Sequence, residues 1–341
     1  MNRGLHRSAC LVAAATLFLI VAGALVTSHD AGLATDDWPL TDGRFLPRIE
    51  SLGLRNGVVM AGNLFWEHGH RMVATTVGLL TIGLVLFLYL GEIRIWIRKW
   101  FSSRSDKGGD LPYRGERRRW VRRLGIVALA GVIAQGLLGG LTVKLMLPLW
   151  VSSAHATLAQ LFFCTVVSLA VFTSSSWMQE RPTIEEQSGL PLRYLCVAAA
   201  SAILVQLIIG ATLRHSATWD KHLPTELVLT HIGGAIVVTL LLGSVSWLML
   251  RRYSGEAFLT RPAKVALALL GLQLMLGVAA YITRLGSPDD PQPLKPMVGV
   301  TVAHVACGAL VFAATIVLTL RSFRVLRAPE AVPLSATPQR T

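Results

Sequence analysis

The chain has 341 residues, 53% of them apolar, with a mean hydropathy of +0.55, a net charge of +13 and a pI near 10.3. Lipid-facing segments joined by basic loops account for both extremes at once. The charge is spread along those loops in a side-to-side asymmetry, which argues against nucleic acid as a partner.

Crossing about 30 Å of hydrocarbon takes roughly 20 mostly apolar residues at about 1.5 Å each. The first such run, near 9–27, follows the basic tail Met1 to Arg7 and resembles a signal sequence. Ala22-Gly23-Ala24 continues directly into Leu25-Val26 without a convincing cleavage site, so an uncleaved first span is expected. No room exists for an Arg/Ser-rich transit peptide, and a bacterial plasma membrane is the expected location. The outer loop Thr27 to Asn63 comes next, the longest outer connection and rich in Gly, Asp and Trp. A loop of that length in a compact protein is usually functional. Its Gly32–Pro39 segment either caps a pocket or is a plain external loop with an interfacial Trp38.

Seven further spans are expected near 64–91, 122–143, 151–173, 192–213, 226–250, 262–283 and 297–320. The expected fold is an all-α polytopic bundle of eight transmembrane helices in two pseudo-symmetric four-helix halves. These cover residues 1–175 and 191–325, joined by an inner linker at 176–190 and followed by a tail at 326–341. With the N-terminus inside, 23 Lys/Arg fall on the inner side and 8 on the outer, with Arg71 inside a span. That split places both termini in the cytoplasm. The run Arg117-Arg118-Arg119 reads as a topology anchor touching anionic lipid. All four cysteines, Cys10, Cys164, Cys196 and Cys307, fall within spans and read as small packing residues.

A short signature recurs on the odd-numbered spans: Gln135-Gly-Leu-Leu-Gly139, Gln206-Leu-Ile-Ile-Gly210 and Gln273-Leu-Met-Leu-Gly277, with Leu19-Ile-Val-Ala-Gly23 in the first. Each precedes an outer loop and a span that opens with a histidine: His70, His155, His231 and His304. The chain thus reads as four helix–loop–helix units, a duplication that places sites between helices. The glycines and glutamines fit close helix packing, or the glutamines reach a bound group. An imidazole at membrane depth is costly unless hydrogen-bonded or bound to metal. Four at matched depth point to paired axial ligands for haem, His70 with His155 and His231 with His304. His6, His29, His68, His215 and His222 lack that context and read as loop or interfacial residues.

Three residues before each of the four histidines stand Glu67, Ser152, Val228 and Thr301. Only the first unit carries an acid, on the helix face that also holds His70. Glu67 either pairs with Arg71 or acts as a proton-handling or charge-stabilising group. One half therefore holds ligands alone, and the other holds ligands and a catalytic candidate.

With these residues in place the chain resembles the haem A synthase family. The resemblance lies in Gly23-Ala-Leu-Val26 through Asp37-Trp38-Pro39, Glu67-His-Gly-His70-Arg71 opening span two, and single histidines opening spans four, six and eight, and it runs from Ala9 to Leu320. It implies an oxidoreductase that converts the C8 methyl of haem O to a formyl group, giving haem A for terminal oxidases. His70 and His155 would hold the substrate haem O, with Glu67 assisting the oxidation and Arg71, Gln135, Gln206 and Gln273 in support. His231 and His304 would ligate the iron of a haem b that relays electrons. Implied partners are membrane lipid, a haem O synthase, terminal oxidase assembly and an electron donor of unknown identity; a homo-oligomer stays open. Some members carry a cysteine pair in the first outer loop, and this chain has none there. Two rivals share the four histidines: a di-haem electron carrier of the cytochrome b561 kind, and a haem-binding assembly protein that performs no reaction. A haem O synthase would need aspartate-rich inner loops, whereas Asp106 and Asp110 stand isolated among arginines.

Overall fold

The computed structural model describes residues 3–35, 37–40, 43, 54–55, 58–59, 62–101, 112–186, 191–219, 224–285 and 295–328. The eight long helices expected from the apolar runs are present: α1 (Arg3–Ser28), α2 (Asn63–Phe101), α3 (Pro112–Lys144), α4 (Leu149–Thr173), α6 (Leu192–Trp219), α7 (Thr225–Arg252), α8 (Ala257–Leu285) and α9 (Lys295–Val325). A one-turn helix, α5 (Ser175–Met178), follows α4. Each long helix contains a window apolar enough to cross a bilayer, so the protein is a multi-pass membrane protein. Several helices start at proline, which has no N–H to leave unpaired there: Pro112 opens α3, Pro148 and Pro224 cap α4 and α7, and Pro191 precedes α6.

The packing is two-fold in pattern. α1 packs on α2 and α3 on α4, as α6 packs on α7 and α8 on α9. The contacts α1–α4, α2–α3 and α1–α9 likewise correspond to α6–α9, α7–α8 and α4–α6. Exchanging α1–α4 for α6–α9 maps this set onto itself, leaving α4 against α9 at the centre. Those two helices are accordingly the most enclosed, 44% of each apolar window being buried against 11–28% elsewhere. Their core faces carry Phe162, Phe163, Val166 and Leu169 from α4 and Val311, Phe312 and Leu318 from α9. The outer ring exposes large apolar side chains such as Leu79, Leu240 and Met275, as lipid contact demands.

At the end of the bundle away from the four histidines, the linker is described as far as Glu186. Strand β3 (Ile184–Glu185) pairs in parallel with β4 (Leu326–Arg327), so the residues expected to begin a tail return to the linker. Residues 329–341 lie outside the described residues. Buried Glu186 locks the turn by accepting the Arg193 backbone N–H at 3.2 Å and pairing with the Arg193 guanidinium at 3.2 Å. At the outer end β1 (Leu54–Arg55) and β2 (Val58–Val59) form an antiparallel pair within the first loop. The basic stretch from Arg94 to Arg123, expected to lie between spans two and three, is helical at both ends, 94–101 continuing α2 and 112–123 opening α3, and residues 102–111 lie outside the described residues.

Two expectations are corrected. Cys10 is exposed on the lipid-facing side of α1 instead of packed inside, whereas Cys164, Cys196 and Cys307 are buried. His6 and His215 are helical, not in loops; His6 Nδ1 lies 3.0 Å from the Ala170 carbonyl, and His68 is buried in α2. His6 and His215 are half-buried near helix ends, as the interfacial alternative allows. His222 lies outside the described residues.

Candidate functional site

The four signature glycines and the four histidines meet one to one. A Cβ added at Gly23 would lie 3.1 Å from His70 Cε1, and one at Gly139 would lie 3.3 Å from His155 Cε1. The same atom at Gly210 would be 3.0 Å from His231 Cε1, and at Gly277 3.1 Å from His304 Cε1. Helices α1, α3, α6 and α8 thus present bare backbone to the edge of the imidazole on the long helix that follows each. Any side chain there would push the ring out of place. The glycines serve close packing, as the sequence pattern allows, but the group that approaches is the histidine itself.

In the C-terminal half the glutamines reach the histidines as well. Gln206 Nε2 donates to the His231 carbonyl at 2.7 Å and lies 3.1 Å from His231 Nδ1. Gln273 Nε2 lies 3.3 Å from His304 Nε2. Each glutamine sits over a glycine one turn beyond the histidine, Gly234 and Gly308. Gln135 has no such glycine opposite it, and its Oε1 is buried without a partner among the described residues.

His231 and His304 come from α7 and α9, which are not neighbours in sequence, yet their ring centroids lie 6.3 Å apart at an interplanar angle of 70°. Two imidazoles sharing one metal at roughly 2.0–2.1 Å per nitrogen have centroids about 6 Å apart. Nδ1 of His70, His155 and His304 is buried with no hydrogen-bond partner among the described residues. No cluster of three or more His, Cys, Asp or Glu suited to a bare metal ion occurs among those residues. Paired imidazoles without further protein ligands suit a metal whose other positions a macrocycle supplies. The residues present fit haem.

The N-terminal half differs at its outer mouth. Glu67 is 4% exposed and both its oxygens are engaged. Oε1 pairs with Arg71 one turn along α2, and Oε2 accepts the Thr35 backbone N–H at 3.0 Å. Arg71 Nη1 in turn donates to the carbonyls of Asp37 and Leu40 at 3.1 and 2.7 Å. Pairing with Arg71 is therefore what the structure contains, and the pair fastens the first outer loop to α2. The loop is held on its other side too. Trp38 lies flat on Gly140 of α3, so that a Cβ there would come within 2.6 Å of the indole, and Leu147 packs on Gly32. Trp38 is a packed strap residue, not a free interfacial one. His29 stacks on Trp66 at 4.3 Å, closing the loop's near end. The sequence shows the loop's length; the Gly140 and Thr35 contacts carry no periodic signal and stay hidden there.

Among the described residues this half leaves Thr35 Oγ1, Gln135 Oε1, Ser152 Oγ and Ser153 Oγ buried without partners, as the second half leaves Gln206 Oε1, Gln273 Oε1 and Ser246 Oγ. Arg214, also unremarked in sequence, donates to Ser28 Oγ at 2.5 Å and ties the outer end of α6 to that of α1.

Residues 58–219 match the family model described as cytochrome oxidase assembly protein. The chain resembles haem A synthases. Haem A synthase of Beijerinckia indica is 37% identical over 164 residues, covering 46% of this chain and 38% of that protein. Haem A synthase of a Methylobacterium species is 32% identical over 174 residues, covering 49% of this chain and 41% of that protein. The chain thus aligns with about two fifths of the length of these curated haem A synthases. The family match contains Glu67, His70, Arg71, Gln135, His155 and Gln206; His231, Gln273 and His304 fall outside it, so the match is shorter than the whole-chain resemblance expected from motifs.

Proposed function

We propose that this protein oxidises the C8 methyl of haem O to a formyl group, giving haem A for terminal oxidases. His70 and His155 hold the substrate haem, and His231 and His304 hold a haem b. When bound, haem b supplies one-electron transfer between the N-terminal half and a donor. The observation that carries the reading is the asymmetry of two otherwise matched halves. Both have the glycine–histidine contacts, but among the described residues only the first has a buried carboxylate and a strapped loop at the mouth.

The chain's own residues have separable tasks. Gly23 and Gly139 set the rings of His70 and His155 from behind. Arg71, through the Asp37 and Leu40 carbonyls, keeps the loop over the outer mouth and limits water there. Glu67 lies one turn before His70 as a buried carboxylate, a group that can take up a proton or stabilise positive charge. In the second half Gln206 and Gln273 orient His231 and His304, as outer partners orient metal-binding histidines. The membrane orientation that goes with this reading puts the loop and all four histidines near the external face and both termini in the cytoplasm.

Haem extraction from the protein purified after co-expression with a haem O synthase tests the function. Haem A or hydroxylated haem O is expected. Unmodified haem O and haem B alone would overturn the synthase reading in favour of an electron carrier or a haem-binding assembly protein.

A further inference from the structure

Away from the histidines, a cavity of about 630 Å³ opens between α5, the start of α8 and the C-terminal part of α9. Three arginines line it, Arg181, Arg261 and Arg321, against one carboxylate, Glu256. None of the three arginines forms an ion pair among the described residues. Two are fixed in place by aromatic packing. The guanidinium carbons of Arg181 and Arg321 stand 4.1 and 4.7 Å from the centroid of the Phe258 ring. Arg321 Nη1 also donates to the Phe258 carbonyl at 3.1 Å. Pro262, four residues on, has no N–H to offer that carbonyl, so Arg321 fills a vacancy in the α8 ladder. The Nε atoms of Arg181 and Arg321 remain buried without an acceptor.

Three like charges gathered round one cavity repel unless an anion joins them. The wall continues as Val265, Ala314 and Val317, and Val265 is 52% exposed on the lipid-facing side of α8. Arg321 lies 17 residues after His304 on one helix, about 25 Å along its axis and so at the opposite membrane boundary. Basic pockets between helices on the positively charged side of a membrane protein suit anionic lipid headgroups. A free anion has no use for the apolar wall, whereas an acyl chain does.

We propose that this cavity binds the phosphodiester headgroup of an anionic phospholipid, with an acyl chain along Val265, Ala314 and Val317. The headgroup would join the linker, through Arg181, to α8 and α9 through Arg261 and Arg321. The proposal does not depend on the haem chemistry. Arg321 also supports the Phe258 carbonyl, so exposed Arg261 is the cleaner position to change. Full-length protein in phosphatidylcholine vesicles doped with phosphatidylglycerol is extracted, and native mass spectrometry counts the lipid retained. Arg261→Gln should weaken phosphatidylglycerol retention about fivefold, the worth of one arginine at a charged surface. Val265→Trp should displace the lipid while leaving the charges alone. Millimolar inorganic phosphate should not compete. Unchanged retention in both variants overturns the site, and full displacement by inorganic phosphate overturns the lipid assignment in favour of a free anion. Retained haem content in each variant shows that the bundle is folded.

Discussion

A glycine that touches a histidine is a stricter requirement than a glycine that touches a helix. Helix faces adjust by sliding, but an imidazole meant for an axial position has one useful orientation. At Gly210 the added Cβ would stand 3.0 Å from His231 Cε1, a few tenths of an ångström too close. Overpacking of this kind costs about 1–3 kcal/mol in a well-packed core. Here the ring, not the backbone, is the softer partner. Gly210→Ala is therefore expected to leave the protein folded and to shift or broaden the spectrum of the haem proposed at His231 and His304, in the direction expected on replacing His231. Gly243→Ala on α7 is the control, since nothing lies within 4 Å of its Cβ position. Equal spectra for the two variants would show that Gly210 sets no geometry at the iron. Glutamine at the first signature position was only half legible. Its spacing marks it as a packing residue, but contact with His231 and His304 depends on Gly234 and Gly308 leaving room, and nothing in the signature shows that.

At the scale of elements, the opening turn of α2 and the first outer loop form one device. Glu67, Arg71, Thr35, Asp37 and Leu40 make a chain of contacts in which the ion pair stays on one helix and its remaining hydrogen bonds cross to the loop. The helices themselves are readable from sequence because a bilayer asks the same thing of every span: about 20 apolar residues. The loop's course is not readable, because Trp38 on Gly140 joins residues a hundred positions apart with no repeating pattern between them. Two roles for Glu67 separate by experiment. Glu67→Gln keeps the volume and an oxygen to accept the Thr35 N–H, while removing the charge and the acid–base function. Loss of a general acid–base group costs on the order of 10²–10⁴ in rate. The variant is expected to assemble with haem in the C-terminal half, to accumulate haem O or a partly oxidised haem, and to make little haem A. Near-normal haem A would leave Glu67 as a loop fastener only. Arg71→Gln completes the comparison: it frees the Asp37 and Leu40 carbonyls, so a pure fastening role predicts that it mimics Glu67→Gln.

For the whole molecule, the two-fold contact pattern describes the scaffold, and the proposed chemistry rests on where the two halves differ. The two-fold contact pattern requires α4 and α9 at the centre, and both end in the region where the linker, β3 and β4 close the inner face. That closure holds the halves in register from one side of the membrane while all four histidines lie near the other. In the sequence, 23 Lys/Arg fall in or next to the segments expected on the linker side of the spans and 8 in those expected on the histidine side. Since basic loops are retained on the cytoplasmic side, the proposed orientation has the linker end facing in and the strapped loop facing out. A cysteine placed at Leu33, an exposed loop position, reports this directly. Leu33→Cys in intact cells should react with a membrane-impermeant maleimide without permeabilisation. Cys10, on α1, marks the background from the native cysteines and is removed as Cys10→Ala for the measurement. Reaction only after the membrane is opened would invert the topology. It would also move both histidine pairs to the cytoplasmic side, and the headgroup cavity to the external leaflet.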